Sequence, residues 1–553
     1  MEFQNVPPSR IFNSDVLSSG KFIQKWRLAE MKPENGSGDY SFNSNNIIRI
    51  NLQSLTETMA YLESYLRFKI QTTGPKNRVF NEGGVANVFN RVVLRTKSGS
   101  VIEDLDYYFM EHNIIQNVMH SPQFVKTNGW LEADSLSDTS RSLLNGNDLI
   151  DLLNGNDGVT FTHADREFAL AGTASAKAFE VQPKINDTVK VSASSGTFTA
   201  KITSIESNTD EDFKFRIAAL GTNNNVPESD IAAGAVHELF LVNQDEETSQ
   251  LPARAEIARS SQFTTVCMKI KLNSLMRENY IPLFLVRGGF ELELHLNRPE
   301  HVMYSVSTPA NVENTEFGYT VRDPVFVSSL YTLTPDVMEK YYIEPYRKDG
   351  LKLHYNSYHH NSSNIRGNAD TSSHLYPYRS ATHIYSVITA PNISSLVSAV
   401  SKTNDTNTFI KSGLNEFYYQ NGSEKYPDFA PVNVDSKAIE TYQQLMITSG
   451  NHFSTVSYPR FPYKYWLQEN DLKLLDGSTD ATEKDAKKFI ISTRFNRDGT
   501  PLSGINVTLN NLDLNLRFDN DVDSKLGNYR VVHNFLYYDA VLHISQDGVF
   551  VRK

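Results

Sequence analysis

Between residues 290 and 296, Phe290, Leu292, Leu294 and Leu296 alternate with Glu291, Glu293 and His295. That period of two belongs to a strand with an apolar face and a polar face, half buried in an antiparallel sheet, and Asn297, Arg298 and Pro299 close it. Similar stretches recur along the chain. "NIIRINL" (46–52), "YLRFKI" (65–70) and "VFNRVVLRTKSGSVIEDL" (88–105) read as early strands, the last as a hairpin about Ser98-Gly99. "GLKLHYNSYHH" (350–360), "ATHIYSVITA" (381–390) and "KKFIISTRF" (487–495) read as later ones. "INVTLNNLDLNLRF" (505–518) alternates twice with a phase break at Asn510-Asn511, and "DAVLHISQDGVFVRK" ends in a hairpin at Asp547-Gly548.

Helical spacing is sparse. Tyr108, His112, Ile115 and Met119 share one side of 106–119. Thr334, Pro335 and Asp336 have the order of a cap, a first helical residue and an acid at the positive helix end, and 436–447 reads as a helix closed by Gly450. Residues 19–31 place Phe22 and Trp26 four apart beside Lys21, Lys25 and Arg27, the spacing of a short amphipathic helix. From 120 to 260 the character changes: "LLNGND" occurs twice, and 187–207 with 213–220 predict three short strands, enough for a small sheet or barrel inserted in a loop of the first domain.

At 553 residues the chain exceeds one hydrophobic core, and its strands divide into two sets, each long enough for eight. The 31 Phe and 27 Tyr favour pleated surfaces and interfaces. A single cysteine, Cys267, excludes an intrachain disulfide and points to a reducing compartment. No basic-then-apolar start marks a signal peptide, and the greasiest run, 281–286, falls far short of the roughly 20 residues of a membrane span. A net charge of −11 argues against wholesale wrapping of nucleic acid. Spacing alone leaves an immunoglobulin-like sandwich or a propeller open.

"YLRFKI" followed by "NVFNRVVLRTKSGSVIEDLDYY", then "IPLFLVRGGFELELHL" (281–296), "EKYPDFAPVNVDSKAIETYQQL" and "LSGINVTLNNLDLNLRF" resemble, in that order, segments of the double jelly-roll major capsid proteins of the adenovirus-hexon-like lineage. The flavour is that of virophage and polinton-like virus capsid proteins. The resemblance implies an all-β chain of two consecutive eight-stranded jelly-roll sandwiches with short helices and a β-rich insertion in the first. The expected divisions are an N-terminal arm at 1–44, a first roll at 45–320 containing a 120–260 insertion, and a second roll at 321–553. It further implies a homotrimer that tiles pseudo-hexagonally in the icosahedral shell of a double-stranded DNA virus. Its partners would be neighbouring capsomers and penton and minor or cement capsid proteins. A host receptor could be met through the tower, and an inner membrane or the genome through the arm. Its place would be the virion, after assembly in the host cytoplasm or nucleus.

No enzymatic signature accompanies this: G-x-S-x-G, a P-loop and H-E-x-x-H are all absent, and Cys267 reads as a small buried hydrophobe. His354, His359, His360 and His374 suggest a metal at first sight, but neighbours on a strand face opposite ways. Asp519, Asp521 and Asp523 have calcium-loop spacing, yet Ser524 and Arg530 stand where glycine and a bidentate acid belong. No catalytic residue, metal or cofactor is expected. The candidate site is the arm, with Lys21, Phe22, Lys25, Trp26 and Arg27 facing the shell interior or packing on a neighbouring base. A carbohydrate-binding or carbohydrate-active multi-sandwich protein is the alternative, although three tryptophans, at 26, 130 and 466, offer few sugar platforms.

Overall fold

A computed structural model describes residues 23–36, 38–74, 78–134, 262–270, 280–305, 317–389, 413–427, 438–450, 488–495, 502–518 and 530–553, with shorter pieces between them that include strands in 150–242. The chain forms two compact units, Met1–Ser135 with Ile257–Lys553, and Leu136–Glu256.

In the larger unit, the main strands of the first half are β1 (Ile23–Met31), β2 (Ile47–Leu52), β3 (Thr58–Thr73), β4 (Phe89–Thr96), β5 (Val101–Leu105), β6 (Thr264–Met268), β7 (Phe290–Leu296) and β8 (Gly318–Leu333). They build two antiparallel sheets, β1-β8-β3-β6 and β2-β7-β4-β5. The second half supplies β9 (Leu351–Ile365), β10 (Ala369–His374), β11 (Ala381–Thr389), β12 (Leu414–Asn421), β13 (Glu424–Tyr426), β14 (Ile490–Arg494), β15 (Leu512–Phe518) and β16 (Arg530–Ser545). Their orders are β9-β16-β11-β14 and β10-β15-β12-β13, with β17 (Gly548–Arg552) returning along β16. Adding eight to each label of the first half reproduces the second. Each half is therefore an eight-stranded jelly roll, and the fold class expected from sequence is met.

The sequence rules act locally as expected at several points. Gly99 takes φ 99° in the turn between β4 and β5, and Gly548 takes φ 133° between β16 and β17. Helix α1 (Tyr108–Met119) follows β5, and α2 (Pro122–Glu132) begins where the Ser121 hydroxyl accepts from the Phe124 N–H at 3.2 Å. Helical stretches Pro335–Met338, Glu339–Ile343 and Glu344–Lys348 run on from one another between β8 and β9. Helix α3 (Ala438–Thr448) ends before Gly450, whose φ is 75°. Leucines and isoleucines of the paired strands β2 and β7 are buried side by side in the core of the first roll, where Phe68 of β3 and Phe89 of β4 pack edge to face at 5.8 Å.

Other expectations shift. Residues 23–31, expected as part of an arm with helical spacing, form β1, paired antiparallel with β8 from Ile23↔Leu333 to Met31↔Phe326. Gln24, Trp26 and Leu28 also alternate, and the edge of β8 selects that period over the four-residue spacing. The boundary expected at 320/321 falls inside β8, which pairs with β3 and β1 of the first roll. Residues 505–509 are not a strand: Asn506 Oδ1 accepts from the Thr508 N–H at 3.0 Å in a local turn, so the alternation becomes β15 only from Leu512.

Strand β7, expected to be half buried, is covered on both faces. Glu291 and Glu293 are each 6% exposed. Arg95 donates to Glu291 at 2.5 Å and to Glu293 at 2.7 Å, while Arg49 donates to Glu293 at 2.7 Å from the other flank. Arginine stems thus cover the polar face while the carboxylates keep charged partners.

In the smaller unit, strands Thr188–Ala193, Gly196–Asn208, Phe213–Ile217, Glu167–Leu170, Val159–Thr162 and Val236–Val242 pair in that order, and the last pairs with the first. The ladder closes on itself as a six-stranded antiparallel barrel, twice the three strands read from sequence.

Candidate functional site

Of the five arm residues singled out from sequence, Lys21 and Phe22 lie outside the described residues, and Lys25, Trp26 and Arg27 sit on β1. Strand alternation puts Trp26 and Leu28 on one face and Lys25 and Arg27 on the other. Trp26 and Leu28 are each 54% exposed. Arg27 is engaged within the roll: its Nε and Nη2 each donate to the Glu57 carboxylate at 2.7 Å, and Ser54 adds a bond at 2.8 Å. The Arg27 guanidinium, outweighing burial, holds the Glu57 carboxyl below its ordinary range. Lys25, Trp26 and Leu28 thus present one cation and two large apolar groups on an outermost strand, whose far edge carries no ladder partner among the described residues.

A denser constellation lies where the two rolls meet. Sheet β9-β16-β11-β14 is buried on both faces, as the almost unbroken burial of β16 shows. One face joins its own roll through a polar chain in which Asn534 donates to Ser372, Ser386 donates to Asn534, and Tyr419 donates to Ser386 at 2.9 Å. The opposite face, with Tyr358, His360, His533, Phe535 and Tyr537, meets the first roll. There the Tyr358 hydroxyl donates to the Asp106 carbonyl at 3.1 Å and the Tyr537 hydroxyl to the Glu111 carboxylate. Tyr107 stacks on His360 with centroids 4.2 Å apart and lies 5.4 Å from His533.

Two further bonds fasten this seam. Tyr355 donates to the Ile102 carbonyl at 2.8 Å, and the Lys488 ammonium pairs with the Glu82 carboxylate, both groups nearly excluded from water. Helix α1 is buried from Tyr108 to Val118, polar residues included. Asn113 accordingly bonds back to the Phe109 carbonyl at 2.7 Å and across to Asn87 at 3.1 Å. Tyr107, with φ 50° and ψ 39°, turns the chain from β5 into this helix. Burial pushes the Tyr358 and Tyr537 hydroxyls well above their ordinary range and the His383 imidazole down to about 3.

The remaining candidates are dispersed. His359 and His360 do face opposite ways: the first contacts the Tyr378 hydroxyl at 2.9 Å, the second His533. His374 sits between the Ser363 and Ser372 hydroxyls. Among the described residues no three His, Cys, Asp or Glu side chains come together as a metal site requires. Asp519, Asp521 and Asp523 lie outside the described residues. Cys267 stands half-buried on β6, its thiol pushed up by burial. Sequence reasoning missed Glu82, Glu111, Lys488, His533 and Tyr537; the available signal was the run "VVHNFLYY" at 531–538, too apolar throughout for a strand with a wet face.

No family model matches the sequence, and no curated protein matches it. Among solved structures, the chain is similar to one in the cryo-EM structure of the Sputnik virophage, with 10% identity over 99% of this chain and 92% of that one and a TM-score of 0.46. The mavirus major capsid protein is similar at 9% identity over 100% of this chain and 95% of that one, with a TM-score of 0.41. A chain of the PBCV-1 virus capsid is similar at 9% identity over 97% and 98%, with a TM-score of 0.44. These are capsid proteins of the lineage that the sequence resembles.

Proposed function

We propose that this chain is the major capsid protein of an icosahedral double-stranded DNA virus, acting by self-assembly and not by catalysis. The observation that carries the reading is the pair of jelly rolls with one strand order, joined through a sheet buried on both faces. A rigid twin of this kind is what quasi-six-fold tiling requires. Three copies present six similar barrels while obeying only three-fold symmetry, through head-to-tail contacts that close. Cohesion between copies would come from apolar and aromatic burial in the obligate class, on the order of 2,000–5,000 Å². The purified protein is expected to run as a trimer and to give hexagonal tiles in negative-stain images. A stable monomer at micromolar concentration overturns the reading.

In this reading Lys25, Trp26 and Leu28 on β1, with Lys21 and Phe22 before them, contact what lies next to the first roll: a neighbouring base, a cement protein, an inner membrane or the genome. The supporting features are the outermost position of β1 and the exposed apolar pair. Arg27, held by Glu57, takes no direct part. The closed barrel between α2 and β6 serves as surface decoration, as a receptor contact or as a clasp on a neighbour, in keeping with long insertions on sandwiches. Deleting residues 1–22 is expected to leave trimers intact and to impair shell formation. Unchanged shells would remove the role proposed for Lys21 and Phe22.

A further inference from the structure

The seam between the rolls contains a histidine pair that the capsid reading does not use. His360 Nε2 and His533 Nδ1 lie 3.1 Å apart, their rings stacked at 22° with centroids 5.3 Å apart. Two neutral imidazoles fit this contact, one nitrogen donating and the other accepting. Two imidazolium rings do not, because both nitrogens would then carry hydrogens aimed at each other. His533 is 1% exposed, and its Nε2 is buried without a hydrogen-bond partner, so a charge on this ring would find neither water nor an acceptor there. His360 as a residue is half-buried and not wholly shut off from water, which gives protons a way in.

The pair belongs to the second roll, but its lid belongs to the first. Tyr107 covers both rings from the turn between β5 and α1, and its neighbour Asp106 accepts the Tyr358 bond through its carbonyl. We infer that the His360–His533 pair is an acid-sensitive latch: protonation breaks the pair, displaces Tyr107 and loosens the first roll from the second while each roll stays folded.

The groups facing the pair do not offset the added charge. From the opposite face of the sheet, His359 on β9 and His374 on β10 would only add like charge; on the β5–α1 turn Tyr107 and Asp106 face the pair, and beyond Tyr107 stands Arg298. From β16, Phe535 packs on His360 at 4.9 Å and carries no charge. Asp106 is the acid nearest in the chain to the lid, and burial pushes its carboxyl up, toward the neutral form. The Tyr107 ring can attract a cation, but that gain is small beside the cost of a buried unsolvated imidazolium.

The sign follows from burial. Burial pushes His533 down to about 4, whereas an unfolded or detached imidazole titrates at about 6.5. The detached state therefore binds more protons between those limits. The latch holds fully above about 6.5 and weakens as pH falls toward 4.

Hydrogen exchange on the full-length protein at pH 7 and pH 5, corrected for intrinsic rates, tests the latch. In the wild type, amides of 101–119 are expected to lose at least about tenfold in protection on acidification, while those of β11 keep theirs. In His533→Gln, and separately in His360→Gln, which retain every seam carboxylate, the protection of 101–119 is expected to change by less than about twofold over the same interval. Undiminished protection of 101–119 in the wild type at pH 5 overturns the inference, even if both variants fail to fold. So does an equal loss in wild type and folded variant, which would assign the response to the carboxylates.

Discussion

Lys488 and Glu82 come from segments of the chain more than four hundred residues apart and meet in a site almost without water. Removing one charge of such a pair is costlier than removing both, because the remaining ion has lost its counter-charge but not its burial. Lys488→Met is expected to lower stability by about 3–5 kcal/mol, and Glu82→Leu combined with Lys488→Met to recover most of that loss, as read by thermal melting of the purified protein. Gly84, two residues on from Glu82, tests backbone fit within the first roll. Its φ is 58°, and a Cβ there would run into the carbonyl oxygens of Glu132 and Ala133. Gly84→Ala is expected to cost at least about 3 kcal/mol, seen as a lowered melting temperature. None of this was legible beforehand. Glutamate and lysine in a sequence look like surface residues, and only the fold brings this pair together; the turn residues Ser98-Gly99 and Asp547-Gly548, whose chemistry is local, were read correctly.

Among the elements, the strands whose two faces differ in polarity were the most legible, β7 included although both of its faces are covered. β2 and β15 alternate because water and core take turns along them, and period two is what the eye can find. β16 is buried on both sides, one against its own roll and one against the other, so "VVHNFLYY" carries no alternation. Only its last seven residues, from Asp539, were recognised, through the hairpin that follows. β1 failed for another reason: its residues fit a helix and a strand comparably, and the choice lies in β8. β1 in turn covers an edge of β8, a strand that contains eight consecutive buried residues from Pro324 to Tyr331. Deletion through Met31 is therefore expected to cause aggregation of the first roll, in contrast to deletion of 1–22, with light scattering at equal concentration as the measure.

For the molecule as a whole, the jelly-roll pair could be inferred from order and resemblance, whereas the seam could not, since nothing periodic marks which outer face of a sandwich meets another sandwich. The seam is aromatic and polar together. Tyr355, Tyr358 and Tyr537 each spend a hydroxyl on the first roll, so the two halves meet in one register and not as greasy planes free to slide. The inserted barrel differs in kind. Its ladder returns to its own first strand, leaving no raw margin within that ring for a stranger's backbone to join. A self-finished cylinder spliced into a connection asks little of its host, because lengthening a tether adds only slowly to its entropy. The stretch between α2 and β6 is thus the natural socket for a foreign module, where a graft of unrelated sequence could ride on every copy of the chain.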